Sequence, residues 1–176
     1  TKEALGWPFE PTFYIPDEAL AHFRETVPLG RSCEAEWRSR FDTYAAAYPE
    51  LAAEWHTVME GRLPEGWADK LPTFTPAGGG MATREASGKV LNAIAPHLPT
   101  LIGGSADLTP SNNTYLKGYG DFQKSSPGAR NFHFGVREHA MGSILNGMAL
   151  HRGVIPYGGT FLIFSDYMRP AIRVAA

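Results

Sequence analysis

The feature that most narrows the fold is a break in pattern. Between Leu63 and Gly80 runs the string LPEGWADKLPTFTPAGGG, crowded with Pro and Gly, and no helical or strand periodicity carries through it. Upstream, apolar residues recur at helical spacing. Downstream, from Met81, short apolar runs alternate with helical patterns, which is the arrangement of a parallel sheet covered by helices, because each parallel strand needs a long crossover to reach the next. A domain boundary is therefore expected near Met81. Residues 1–80 read as a mainly helical segment, and residues 81–176 as an α/β unit with a partial parallel sheet flanked by helices.

Within the first segment an extended stretch, WPFEPTFYIP, leads into a short helix over Asp17 to Thr26. A longer helix is expected from Ser32, which can cap it, with Glu34 and Glu36 suiting its first turn and Trp37, Phe41, Tyr44, Ala45 and Tyr48 on one face. Pro49 resets the pattern. The next helix carries Leu51, Ala52, Trp55, Val58 and Met59 on one face and ends at Gly61. This spacing predicts that the aromatics pack as a core between the two helices. In the second segment Thr83 is the expected cap of a helix with Ala86, Val90, Leu91, Ile94 and Leu98 on one face, stopped by Pro99. Strands are expected at Thr100 to Gly103, Phe132 to Phe134 and Val154 to Tyr157, with helices at about Val136 to His151 and from Ser165. No internal repeat is present.

Charge and cysteine content exclude several functions. The net charge is -2, and the lysines and arginines are scattered, so no nucleic-acid partner is expected. No apolar run approaches the roughly 18 residues that a membrane span needs, so no membrane partner is expected either. Cys33 is the single cysteine, which suits a reducing compartment, and a cytoplasmic protein is the expectation. The chain starts at Thr1 without a methionine and stops at Val174-Ala175-Ala176 without a helix-closing residue, so it reads as a piece of something larger.

Nucleotide and hydrolase motifs do not fit. A phosphate loop requires Ser or Thr after Gly88-Lys89, where Val90 stands, and a glycine at the position of Thr83. Gly118 and Gly120 lack the third glycine of a dinucleotide fingerprint, since Gln123 stands there. The string from Gly103 to Asp107 resembles a nucleophile elbow around Ser105, but Asp107 replaces the closing glycine, and a serine bonded to its own turn is the simpler reading. His133, His139 and His151 lack the spacing of paired metal ligands, so no metal site made by this chain is expected.

Two features stay open on residue arithmetic. At about 100° per residue Glu138 sits near the stripe of Met141, Ile144, Leu145 and Met148. It is either an ordinary first-turn acid favoured by the helix dipole, or a carboxyl held where water is scarce and able to share a proton with a ligand nitrogen. Phe161, Phe164 and Tyr167 follow a glycine-rich strand end at three-residue spacing. They are either a core stripe or a slot for a flat heteroaromatic ring.

The strings GGSADLTPSN, FHFGVREHAMGSILNGMALHRG and PYGGTFLIFSDYMRPAIR, in that order and at nearly matching intervals, resemble those of transketolases. TKEALGWPFEPTFYIP and AYPELAAEWHTVMEG are similar to the segment that closes the family's diphosphate-binding domain and crosses to its pyrimidine-binding domain. The resemblance covers essentially the whole chain. It implies a thiamine-diphosphate-binding fold, with the end of the diphosphate-binding domain and a helical linker over 1–80 and the first part of the pyrimidine-binding domain over 81–176.

By the same resemblance, Glu138 is the glutamate that hydrogen-bonds the aminopyrimidine of thiamine diphosphate and relays its proton. Phe161, Phe164 and Tyr167 match the aromatics that enclose that ring, and Asp107 the aspartate beside the cofactor. Arg84 and Ser111 match positions that hold the sugar phosphate, a role suited to a guanidinium fork and a hydroxyl. The implied reaction passes a two-carbon ketol unit from a phosphorylated ketose to an aldose phosphate, within a homodimer whose subunits share each active site. A divalent cation, Mg or Ca, is implied but bound by a part of the enzyme this chain lacks, since no Gly-Asp-Gly motif is present. The histidines and arginine that complete the family's sugar site are also missing, so this chain alone is expected to be inactive. His139 departs from the aromatic residue that often follows the family's glutamate. A dihydroxyacetone synthase, a deoxyxylulose-phosphate synthase or a non-catalytic binding or assembly module are the alternatives.

Overall fold

A computed structural model describes all residues, 1–176, and the chain divides into two compact units, Thr1–Ala52 and Ala53–Ala176. The first unit is helical. Helix α1 spans Asp17–Arg24 and α2 spans Thr26–Ala47, while α3, Pro49–Met59, begins in this unit and ends in the second. Helix α2 opens six residues before the expected start at Ser32. Pro28 falls in its first turn, where a missing N–H costs nothing because the first backbone donors have no helical partner anyway. Ser32 is therefore an interior residue and not a cap.

The aromatics of α2 form a ladder along one face. Trp37 stacks on Phe41 at 5.3 Å, and Tyr44 lies 5.3 Å from Tyr48. Trp37, Tyr44 and Tyr48 are 49%, 39% and 55% exposed, and Phe41 is half-buried. Helical spacing puts these rings on one stripe, while the depth of burial along a stripe is set by what packs on it.

The second unit is built on a three-stranded parallel sheet of order β2-β1-β3, with β1 Leu101–Ser105, β2 Asn131–His133 and β3 Ile155–Gly159. The expected parallel sheet flanked by helices is present. Before it comes α4, Thr83–Ile94, whose N-cap is Ala82, so Thr83 is the first helical residue and makes no capping bond. That helix ends at Ile94, ahead of Pro96, which has no N–H to continue the ladder, and so stops short of the expected Pro99. The one-turn helix α5, Thr109–Asn112, follows β1, then α6, Glu138–His151, links β2 to β3, and α7, Ser165–Ala175, closes the chain.

Ala95, Leu98, Leu101 and Leu116 form the core between α4 and the sheet. Trp67, in a 3-10 turn of the Pro-rich stretch, packs against this cluster, so that stretch is pinned where the composition suggested a free linker. Arg130 fastens the end of α4 from the other side. Its buried guanidinium donates to the carbonyls of Ala95, Leu98 and Pro99 at 2.8 to 2.9 Å and lies 3.6 Å over the Tyr119 ring. The Leu98 carbonyl also accepts from Leu101 N at 3.0 Å, and for those of Ala95 and Pro99 the cation supplies a donor that burial would otherwise deny. Asn131 holds the loop before β2, accepting from Leu116 N and donating to the carbonyls of Leu116 and Gly120. Gly142 lets α6 approach α7: a Cβ there would lie 2.9 Å from that of Ala171.

Candidate functional site

Parallel strands release all their chain exits at one end of the sheet, and ligands bind there in α/β folds. Here the exit of β1 carries Asp107, the exit of β2 leads through Gly135 to Glu138, and the exit of β3 leads to Phe161, Phe164 and Tyr167. Strands far apart in sequence thereby deliver their residues to one place. An open groove of about 500 Å³ lies at this end, bordered by Ala106, Asp107, Leu108, Val136, Glu138, Phe164 and Tyr167.

Each wall has a local cause. Asp107 adopts a left-handed backbone at φ 62, a conformation Asp tolerates in turns, and this swings the chain out of β1. Gly135, at φ 68, makes the corresponding turn after β2. Any Cβ there would strike the Arg137 guanidinium, which donates to the Phe134 carbonyl. The turn sets Glu138 as the first residue of α6, where the free N–H groups and helix dipole favour an acid. Beyond β3, Phe164 ends a 3-10 turn and Tyr167 lies in the first turn of α7. Their rings are 6.2 Å apart and tilted by 32°.

Glu138 is the unusual member. It is only 8% exposed, yet its carboxylate makes no hydrogen bond or ion pair within the chain. Buried carboxylates are nearly always paired, because desolvation without a partner is costly. A carboxylate sheltered, unpaired and bordering a groove is set up to receive a donor from outside the chain. The two aromatic rings beside it offer faces for a planar group. Together the donor set fits a flat nitrogen heterocycle, with its N–H or ring nitrogen toward Glu138 and its face toward Phe164 or Tyr167.

The structure thus brings four of the residues singled out in the sequence, Asp107, Glu138, Phe164 and Tyr167, to one groove. Phe161 is half-buried and precedes the 3-10 turn, its carbonyl accepting from Phe164 N, but it does not border the groove. Arg84 and Ser111 are exposed, at the second residue of α4 and the third of α5, and do not border it either. Leu108 and Val136 were not anticipated. Both sit in turns between elements, where no periodicity marks a residue as facing anything.

Other polar groups nearby are structural. Ser105 is fully buried and bonded on every side, so it is no nucleophile. Tyr157 donates to the Thr114 carbonyl at 2.7 Å, and burial pushes its phenol up to about 12. His133 bonds Asp121 at 2.9 Å and, foremost among the causes, holds that carboxyl below its ordinary range. No three His, Cys, Asp or Glu side chains lie close enough to hold a metal ion. No helix is long and apolar enough to cross a membrane.

A family model described as transketolase, pyrimidine binding domain, matches residues 79–176, and one described as transketolase, thiamine diphosphate binding domain, matches residues 1–64. A chloroplastic transketolase of Craterostigma plantagineum is 53% identical over 177 residues, taking in 100% of this chain and 34% of that protein. A transketolase of Geobacillus stearothermophilus is 54% identical over 100% of this chain and 26% of its own length. Among solved structures, transketolase from Leishmania mexicana superposes with a TM-score of 0.89 at 42% identity, covering 99% of this chain and 26% of that one. Transketolase of Pichia stipitis in complex with sedoheptulose-7-phosphate gives 0.87 at 44% identity, covering 98% and 26%. The chain therefore spans about a quarter to a third of the length of the curated relatives it matches.

Proposed function

The chain belongs to the transketolase family, and we propose that it is part of a longer transketolase in which it forms the pyrimidine side of a thiamine diphosphate site. The observation that carries this reading is the sheltered, unpartnered carboxylate of Glu138 beside two aromatic rings. Bound thiamine diphosphate supplies the carbon that accepts a two-carbon ketol unit from a phosphorylated ketose and passes it to an aldose phosphate. Glu138 hydrogen-bonds the aminopyrimidine nitrogen and exchanges a proton with it as an acid–base partner. Phe164 and Tyr167 offer their faces to the ring, with Phe161 supporting the turn that presents Phe164. Asp107, which also borders the groove, orients the cofactor. Arg84, in the first turn of α4, and Ser111 of α5 take the sugar phosphate through charge-assisted and hydroxyl hydrogen bonds.

In this reading residues 1–80 are the end of the diphosphate-binding domain with its helical linker, and residues 81–176 begin the pyrimidine-binding domain. The diphosphate and its divalent cation, magnesium or calcium, are held by residues outside this chain, supplied across a homodimer whose subunits share each site. The chain alone is then inactive, and the longer protein serves the pentose phosphate pathway in the cytoplasm. The test is Glu138→Gln in the full-length protein. It keeps the shape and removes the exchangeable proton, so turnover should fall by about 10²- to 10⁴-fold with the melting temperature nearly unchanged. Wild-type turnover in that variant overturns the assignment.

A further inference from the structure

Ser105 makes more bonds than a turn serine needs. A turn requires only the local bond, here from Leu108 N at 3.2 Å. The same hydroxyl also donates to the carbonyl of Gly159, 54 residues away at the end of β3, at 2.8 Å, and accepts from Asn112 Nδ2, the last residue of α5, at 2.8 Å. One donor and two acceptor positions are thereby all used. Thr114 Oγ1 donates to Asn112 Oδ1 at 2.9 Å, which fixes the amide with its NH₂ toward Ser105. The side chains of Ser105, Asn112 and Thr114 are all buried, at 0%, 7% and 6% exposure.

The segments joined at this hydroxyl are those that carry the site. Asp107 lies two residues beyond Ser105, Phe161 two residues beyond Gly159 and Ser111 directly before Asn112. Strands β1 and β3 are already paired at this level through their backbones, with Ser105 opposite Gly159. The hydroxyl adds what the ladder lacks, a link from both strand ends to α5. We infer that Ser105 is a positioning residue: it sets the spacing between the groove that takes the cofactor ring and the α5 turn that takes the sugar phosphate, so that one buried bond cluster couples the two. This rests on the function proposed above. In a closely packed, low-dielectric setting a fully satisfied cluster holds its members rigidly, and removing its centre frees all three arms together.

Ser105→Ala in the full-length protein tests this, with Asn92→Ala as a matched control. Asn92 also loses three bonds, to the Gly88 and Tyr115 carbonyls and from Lys117 N, but it borders no part of the groove. Thiamine diphosphate affinity, read by calorimetric titration, and the apparent KM for a phosphorylated ketose should each worsen about tenfold in Ser105→Ala, the scale of losing one or two net hydrogen bonds. Asn92→Ala should lower the melting temperature comparably and leave cofactor affinity unchanged. A Ser105→Ala protein that loses melting temperature but neither affinity nor KM makes Ser105 merely structural and overturns the inference. Amide hydrogen exchange supplies a readout free of ligand: it should quicken over both 106–112 and 159–164 in Ser105→Ala, and quickening on one side only also overturns it. If the wild-type protein binds no thiamine diphosphate, the proposed function fails while this exchange measurement still decides the coupling. Should Ser105→Ala not fold, Thr114→Val removes the bond that orients Asn112, and the same readouts should shift about threefold. No shift there sinks the inference as well.

Discussion

In the first 52 residues Trp37, Tyr44 and Tyr48 stand at regular helical spacing and stay 39% to 55% exposed, Phe41 is half-buried, and Ala52 is the one buried residue. In residues 53–176, Leu116 and Met141 reach 0% exposure although the turn around Leu116 has no periodicity at all. The first unit shows ring ladders along α2 and exposed pairs such as Glu34 with Arg38 at 2.7 Å, and such pairs contribute little in water. The second has a sheet, and a sheet gives each helix a wide face to settle on. Periodicity therefore reports which residues share a face, while burial depends on whether another element arrives to cover it.

Four measurements can break or sharpen this contrast. Leu116→Ala should be the most damaging, about 3 kcal/mol in chemical denaturation, because it opens a cavity among Ala95, Leu98 and Leu101. A loss under about 1 kcal/mol shows that this core is not close-packed. Arg130→Met comes next, at about 2 kcal/mol, since the carbonyls of Ala95 and Pro99 lose their donor and that of Leu98 keeps only Leu101 N. A neutral outcome means that water replaces the guanidinium. Trp37→Ala, by contrast, should cost less than either, because about half of that side chain is already in water. A loss matching that of Leu116→Ala erases the distinction between the units.

The smallest effect concerns acid. Because His133 and, less strongly, Tyr115 bond the Asp121 carboxylate, its folded pKa lies below its unfolded one. The pair's contribution is thus present above the ordinary carboxylate pKa and fades as pH falls through the lowered value. Carbon-detected NMR should find Asp121 titrating below the usual carboxylate range, and His133→Ala should move it back up. An unmoved midpoint removes His133 as the cause.

Much of the site could be anticipated at the level of single elements. The stripe through Met141 and Leu145 pointed Glu138 inward, and Glu138 is indeed sheltered at the start of α6, even though Ile144 of the same stripe is 49% exposed. Helix ends were read less well. Ser32 and Thr83 looked like caps, but capping depends on backbone angles set by the preceding residues, and Pro28 and Ala82 moved those boundaries. The roles of Leu108 and Val136 at the groove carried no signal, since turn residues face whatever the fold brings to them.

From its residues alone this chain declared a helical first part, an alternation of strands and helices after Met81, an acid near the apolar stripe of its helix, and three aromatics at regular spacing. Those are properties of neighbours within about one helical turn, and local geometry determines them. Which residues meet was decided only in three dimensions. Asp107, Glu138, Phe164 and Tyr167 converge because parallel strands empty at one end of the sheet, while Phe161, just before the 3-10 turn, does not border the groove. Convergence of that kind is a property of strand order and direction, which no single segment contains.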